Sequence, residues 1–219
     1  MGELTQVEQE ILDDMLRRRA DLGGCVRGIL ALHEVFVGTY DKGGKLLVCG
    51  NGGSHADATH IVGELCKSFE RRRPIDPRMA GCLKSLPFGT ELAQHLEVGL
   101  PAIALGLCGS LTTAVGNDNS LRDIAFAQET LALAKPGDVL IAISTSGNAR
   151  NCSMAMSVME ALGGVTVALT GPIGGEMAEQ ANIVIRAPGD STKAIQEAHI
   201  VIYHTICAMI EVHYFPERR

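Results

Sequence analysis

Tryptophan is absent from this sequence, and aromatic residues make up only 4% of its 219 positions. The seven cysteines are scattered and include no CxxC pair, which fits neither a disulfide framework nor a structural zinc knuckle. Basic residues are outnumbered, with 19 Lys and Arg against 25 Asp and Glu and a net charge of −6. This charge provides no general electrostatic attraction to nucleic acid or to anionic membranes.

Long hydrophobic runs are also missing. No apolar run reaches the roughly 18 residues that a membrane span requires. The start, MGELTQVEQEILDDMLRR, is acidic and amphipathic, whereas a signal peptide is basic and then apolar. We therefore expect a cytoplasmic protein whose partners include neither nucleic acid nor membrane.

Glycine, by contrast, is abundant, with 25 residues, while apolar residues make up 46% of the chain and charged residues 20%. The last two values are ordinary for a globular protein, and this length suffices for one domain with a large core. Glycine at this frequency often marks a close approach of backbone to a ligand or another segment. We expect a single domain over residues 1–219.

Short apolar runs alternate with helical patterns after a predicted N-terminal helical hairpin at residues 1–40. This order predicts an α/β fold with a doubly wound, five-stranded parallel sheet flanked by helices. Residues 70–100 interrupt the pattern and are interpreted as an insertion that serves as a lid, an interface element or a tolerated surface segment. The strands are predicted at residues 45–49, 101–105, 138–144, 164–170 and 182–187, with a turn at residues 116–118 and a helix near residues 121–134.

Two polar loops follow predicted strands. GNGGS at residues 50–54 has neither the spacing of a dinucleotide-binding motif nor the Lys of a P-loop, and it is either a tight strand-to-helix turn or a loop that binds a hydroxyl-rich or anionic ligand. STSGN at residues 144–148 offers three hydroxyls and backbone N–H groups, which suit a phosphate monoester, although the same residues also cap helices. Because strand ends meet at one edge of a parallel sheet, we expect both loops to bind ligand.

His60 and Glu64 lie four residues apart on the helix that follows the first loop, so both side chains project from one face. One helical turn suits shared metal ligation or proton transfer. Such a pair is also common as a plain surface or core contact.

Five motifs together resemble the sugar isomerase (SIS) domain and, within it, the phosphoheptose isomerases. They are GNGGSHADATHIVGEL, VGNDNSLRD, GDVLIAISTSGN, TGPIGGEMA and IQEAHIVIYH. The resemblance implies a SIS fold and an enzyme that converts sedoheptulose 7-phosphate to D-glycero-D-manno-heptose 7-phosphate through an enediol. It also implies one Zn²⁺ per subunit and a homotetramer. The implied ligands are two imidazoles, one carboxylate and one amide oxygen, a set that nickel or manganese would also accept.

The resemblance assigns roles to residues at matching positions. It implies Glu64 and His204 as catalytic residues, and His60, Glu64, Gln196 and His204 as metal ligands. The implied substrate contacts are Asn51, Gly52, Gly53, Glu64, Asn117, Asp118, Ser144, Thr145, Ser146 and Gln196. His199 and His213 match no functional position, and we interpret both as structural.

The spacing of two implied ligands raises a geometric difficulty. Eight helical residues separate Gln196 from His204, a rise of about 12 Å, which is too long for both side chains to reach one ion with bonds near 2.1 Å. Either the helix is broken or different subunits contribute the two residues. We favour the second alternative, which puts the site at an interface between subunits.

Three departures from the family pattern stand out. Ala149 replaces a serine that commonly contacts substrate, Ser68 stands where a basic residue is frequent, and residues 71–100 form a longer stretch than usual. The alternative function is a non-catalytic SIS-domain protein that binds a phosphosugar or associates with a replication initiator. Such relatives lose the His and Glu that this chain keeps at His60 and Glu64.

Overall fold

Five strands form one parallel sheet in the computed structural model, which describes residues 4–216. The strands are β1 Leu46–Gly50, β2 Ala102–Ala104, β3 Val139–Ser144, β4 Val165–Thr170 and β5 Ile183–Arg186. Their order is β2-β1-β3-β4-β5, and each neighbouring pair is parallel. The predicted α/β sheet is confirmed, and its strand order reverses between β1 and β3, where such folds bind ligands.

Helices cover both faces of this sheet. They are α1 Gln6–Arg18, α2 Val26–Tyr40, α3 Gly53–Cys66, α4 Pro77–Leu83, α5 Gly89–His95, α6 Gly109–Asp118, α7 Ala125–Leu133, α8 Arg150–Ala161, α9 Gly175–Gln180 and α10 Thr192–Tyr214. A 3₁₀ helix, Ala20–Cys25, joins α1 to α2. The predicted N-terminal helical pair is therefore present.

Two hydrophobic clusters lie on opposite faces of the sheet. Alternate residues of β1 belong to different clusters. Leu46 and Val48 pack with residues of α1, α2, α3 and α10, whereas Leu47 and Cys49 pack with residues of α7, α8 and α9. Because both faces are covered, every residue of β1 and β3 is buried. This burial explains why the central strands are continuous apolar runs in the sequence.

The segment Ala20–Tyr40 is long and apolar enough, by length and composition alone, to cross a membrane. Its residues Ile29, Leu32 and Phe36 are buried in the larger core cluster. Gly28 lies so close to β5 that a Cβ atom there would approach Ile185 Cγ1 to 2.7 Å. These contacts show that the α2 part of the segment packs against the sheet.

Two segments differ from the sequence-based expectations. The turn predicted at residues 116–118 is wrong, because those residues end helix α6, which places Asn117 and Asp118 at a helix terminus. Val115 is the one buried residue of α6, so the helix carries almost no apolar periodicity for a sequence pattern to reveal. The proposed insertion contains α4 and α5, with an isolated antiparallel bridge between Pro74 and Glu97.

A buried ion pair fixes the chain after α3 to the end of α10. The Arg73 and Glu211 side chains are both fully buried, and Arg73 Nε lies 2.8 Å from Glu211 Oε1. Arg73 also donates to the carbonyl oxygens of Glu64 and Leu65. Arg73 thus satisfies carbonyls at the C-terminal end of α3 and holds the helix that carries the candidate site.

Candidate active site

Helix α3 begins directly after β1, at the loop predicted to bind ligand. Gly52 precedes the helix with φ +55, a conformation that glycine adopts without strain. At Gly53, a Cβ atom would lie 2.4 Å from Gln196 Nε2. The absence of a side chain at Gly53 therefore lets the start of α3 pack against Gln196 of α10.

The loop after β3 lies beside the loop after β1, as predicted. The Asn51 and Asn151 side-chain amides exchange two hydrogen bonds, each 2.9 Å long, and so link the first loop to the start of α8, which follows the second loop. In the second loop, the Oγ atoms of Ser144 and Ser146 are 3.4 Å apart and form two neighbouring hydroxyls. The two loops together border the point where the strand order reverses.

The shape of the second loop depends on glycine. Gly147 has φ +69, and a Cβ atom there would lie 1.8 Å from the carbonyl oxygen of Gly174. Ser144 Oγ accepts a hydrogen bond from the Gly147 N–H, and Ser146 Oγ accepts one from the Asn148 N–H. A side chain at position 147 would push the serine hydroxyls out of this arrangement.

Three candidate catalytic and metal-binding side chains converge between α3 and α10. His60 Nε2 lies 3.0 Å from Glu64 Oε1 and 3.4 Å from His204 Nε2. The ligand atoms of all three residues lie within 4.8 Å of one another. His60 is partly exposed, whereas only 18% of the Glu64 side chain is exposed. The His204 ring packs against Phe69, with 5.3 Å between ring centroids.

Tyr203 and Asp57 orient the His60 ring through its Nδ1 atom, on the side away from Glu64 and His204. Tyr203 donates its hydroxyl hydrogen to Asp57 Oδ1 at 3.4 Å, and the same hydroxyl oxygen lies 2.8 Å from His60 Nδ1. Because the single hydroxyl hydrogen is directed to Asp57, we infer that His60 Nδ1 carries a hydrogen and donates it to Tyr203. His60 Nε2 then keeps a lone pair on the side of Glu64 and His204, which suits a metal ion bound between the three side chains.

The donor set fits a borderline divalent metal ion. Two imidazole nitrogens and one carboxylate oxygen are typical ligands of Zn²⁺, and a histidine ligand commonly donates its other N–H to a nearby oxygen, as His60 does to Tyr203. Burial, and then the neighbouring His60, lower the pKa of His204. His204 is therefore neutral near pH 7, which is the form that ligates metals.

Gln196 does not join this cluster within one chain. Helix α10 is continuous from Thr192 to Tyr214, so the alternative of a broken helix is wrong. Gln196 packs against Gly53 at the start of α3, whereas His204 meets His60 two turns further along that helix. Within one chain, the structure therefore separates Gln196 from the cluster of His60, Glu64 and His204.

Asp57, Arg73 and Tyr203 are absent from the sequence-based site. Asp57 and Tyr203 lie within motifs that match the SIS domain, but nothing in their spacing predicts that they meet across two helices. Arg73 lies in a stretch of three arginines that resembles an ordinary solvated charge run. The three contacts that reveal their roles, Arg73 with Glu211, Tyr203 with Asp57 and Tyr203 with His60, each join residues more than 130 positions apart.

Replacing Tyr203 with Phe is expected to weaken metal binding by about tenfold, because outer-shell partners of a metal-bound histidine commonly contribute 10- to 100-fold in affinity. Competition of the protein with a chromophoric chelator for Zn²⁺ measures the change. Tyr40→Phe is the matched control, since the Tyr40 hydroxyl is buried without a hydrogen-bond partner among residues 4–216. Equal zinc affinity in both variants would contradict the orienting role of Tyr203.

Comparisons with known proteins agree on one family. Models of the SIS domain match residues 25–99 and 119–214. A phosphoheptose isomerase from Geotalea daltonii is 40% identical over 191 residues, which cover 87% of this chain and 86% of that protein. The solved phosphoheptose isomerase of Neisseria gonorrhoeae is 30% identical, with a TM-score of 0.70 and coverage of 91% of this chain and 94% of that one. The corresponding Francisella tularensis structure is 29% identical, with a TM-score of 0.72, and the match covers 94% of this chain and 98% of that one.

Proposed function

Because the chain belongs to the phosphoheptose isomerases of the SIS-domain family, it is a phosphosugar isomerase, and we propose that it interconverts sedoheptulose 7-phosphate and D-glycero-D-manno-heptose 7-phosphate. The observation that carries the proposal is the convergence of His60, Glu64 and His204 beside two polar loops. A non-catalytic protein that binds a phosphosugar or associates with a replication initiator does not require these three side chains to converge, so this alternative is not favoured.

Aldose–ketose isomerisation moves one proton between adjacent carbons and another between their oxygens. Glu64 acts as the base that removes the carbon-bound proton. Its Oε1 faces His60, which leaves Oε2 for the proton. His204 acts as the acid and base that exchanges protons with the two oxygens. Burial lowers its pKa, so the imidazole starts in the neutral form that accepts a proton. A Zn²⁺ ion held by His60, Glu64 and His204 would supply Lewis acidity and positive charge at the site.

The two loops serve to hold the substrate. Ser144, Thr145 and Ser146 bind the phosphate through neutral donors, while Asn51 and the backbone of Gly52 and Gly53 order the sugar chain. Asn117, Asp118 and Gln196 complete the proposed set of contacts. Ala149 is the N-cap of α8 and gives no side-chain hydrogen bond, so this chain lacks the donor that the family's serine supplies to the substrate.

The proposed assembly is a homotetramer in the cytoplasm, with Gln196 completing the metal site of another subunit. The position of Gln196 away from His204 in one chain supports this sharing. A cavity of about 610 Å³ between α1 and α10, with His204 in its wall, gives room for a neighbouring chain or substrate. We also propose that residues 1–219 form one SIS domain, with residues 1–40 as its helical hairpin and residues 70–100 as an insertion.

A panel of phosphorylated ketoses tests this function. We expect kcat/KM for sedoheptulose 7-phosphate to exceed that for fructose 6-phosphate and ribulose 5-phosphate by at least about tenfold, equivalent to roughly 1.4 kcal/mol of transition-state binding. A preference for a shorter sugar would replace the heptose assignment while keeping the isomerase. Turnover of none of the sugars by folded, zinc-loaded protein would contradict the proposed activity.

A further inference from the structure

A second group of metal-ligating side chains lies outside the site described above, where α1, α2 and α10 meet. Glu8, His33 and His213 each place a ligand atom within 4.8 Å of the other two. Glu8 Oε1 is 3.1 Å from His33 Nε2 and 3.0 Å from His213 Nδ1. Glu8 and His33 are buried, while 33% of the His213 side chain remains exposed. The consecutive helices α1 and α2 and the distant helix α10 thus bring their donors to one point.

The two carboxylate oxygens of Glu8 have separate partners. Oε2 accepts hydrogen bonds from the backbone N–H and the hydroxyl of Thr5, at 2.6 and 2.9 Å, in the capping box of α1. This capping arrangement directs Oε1 toward the two imidazoles. Burial acts to raise the pKa of Glu8, but the hydrogen bonds from Thr5 and His213 outweigh it and lower the pKa. The cluster therefore contains a buried carboxylate charge.

Among residues 4–216, the buried Nε2 atom of His33 has a carboxylate oxygen nearby but no hydrogen bond. Although Glu8 Oε1 is close to it, His33 Nε2 makes no hydrogen bond of acceptable geometry with any residue in the range 4–216. Burial also lowers the pKa of His33, so its ring is neutral near pH 7. A buried, neutral ring nitrogen that faces a carboxylate without hydrogen bonding to it is unfavourable unless another group pairs with it.

We propose that Glu8, His33 and His213 form a second site for a divalent transition metal ion, best suited to Zn²⁺, which ties α1 and α2 to the end of α10. Two imidazole nitrogens and one carboxylate oxygen are the ligand types that Zn²⁺ prefers. Bonds of about 2.0–2.1 Å at tetrahedral angles separate ligand atoms by roughly 3.3 Å, close to the 3.0 and 3.1 Å found here. A bound ion would neutralise Glu8 and pair with His33 Nε2.

The surroundings of the cluster leave room for a fourth ligand. A cavity of about 810 Å³ is lined by Glu8, His33 and His213 together with apolar residues of α2. Water or another small ligand would enter from this cavity, on the side where His213 is exposed. The site is separate from the His60 cluster, and the proposal does not depend on the proposed isomerase activity.

Metal counting in matched variants tests the second site. His60→Ala removes a ligand from the first cluster, His213→Gln removes one from the second, and His95→Gln is the control because His95 is exposed and belongs to neither cluster. We expect His60→Ala protein to bind one Zn²⁺ per chain after dialysis and titration, and the double variant H60A/H213Q to bind none. His95→Gln should match the unmodified protein.

Thermal unfolding provides a second readout. Saturating Zn²⁺ at about 100 times Kd should raise the Tm of the His60→Ala protein by roughly 5–10 °C and leave the Tm of the double variant unchanged. If the His60→Ala protein binds no Zn²⁺, or if adding His213→Gln leaves its stoichiometry unchanged, the three side chains form only a hydrogen-bonded cluster. Should the double variant fail to fold, X-ray absorption of zinc-loaded His60→Ala protein must show two imidazole nitrogens, and fewer would overturn the proposal.

Discussion

Glu64→Gln is expected to lower kcat by at least about a thousandfold while the protein remains folded. Gln keeps the size of the side chain and an oxygen that can face His60, but it cannot accept the proton from carbon, and a positioned general base contributes roughly 10²- to 10⁴-fold. Initial rates with sedoheptulose 7-phosphate measure the loss. Circular dichroism and the Tm establish that the fold is retained.

A control and a metal assay make the Glu64 result interpretable. Glu160→Gln changes the same functional group on the exposed face of α8 and should retain full activity. Zinc content must be measured in both variants, since Glu64 also belongs to the ligand cluster. An active Glu64→Gln enzyme would remove Glu64 as the base, whereas loss of zinc together with loss of activity would leave the ligand role as the explanation.

Removing the metal is expected to lower activity by at least about a hundredfold, because Lewis-acid stabilisation of developing charge contributes several kcal/mol. The measurement is the isomerisation rate after dialysis against a chelator, followed by restoration with Zn²⁺, Ni²⁺ or Mn²⁺. Dialysis without chelator is the control. Full activity in protein shown to be metal-free would contradict a catalytic metal.

If Glu8, His33 and His213 form a second metal site, variants of the two sites should differ in activity and in metal content. His213→Gln should keep activity and the dependence of activity on metal, because His213 lies at the end of α10, more than two helical turns from His204. His60→Ala should lose activity while still binding one ion. Activity that falls with His213→Gln in folded protein would show that the two sites are coupled.

The sheet and its loops were predictable because their sequence signals are local. The apolar runs of β1 and β3 reflect burial on both faces, and the loops at residues 50–54 and 144–148 follow those strands directly. Parallel strands bring such loops to one edge, so the neighbourhood of Asn51 and Ser144 follows from strand order. The pairing of His60 with Glu64 follows equally from one turn of helix.

The contacts between helices could not be predicted in this way. The hydrogen bond of Tyr203 to His60 and the ion pair of Arg73 with Glu211 depend on how α3 packs against α10. Helix α6 was not predicted, because it is rich in small and polar residues and only Val115 is buried, so its sequence has no apolar periodicity. His213 was interpreted as structural from sequence, and its position beside Glu8 and His33 emerges only once α1, α2 and α10 are assembled.

Deuterium exchange tests the central claim most directly. Zinc-loaded protein is incubated with sedoheptulose 7-phosphate in deuterated water, and NMR follows both the aldose product and deuterium at the carbon next to the carbonyl. Proton abstraction by Glu64 predicts product that carries deuterium at that carbon, and neither product nor exchange with Glu64→Gln. Folded, zinc-loaded protein that forms no product and exchanges no proton would contradict the assignment of this chain as a heptose phosphate isomerase.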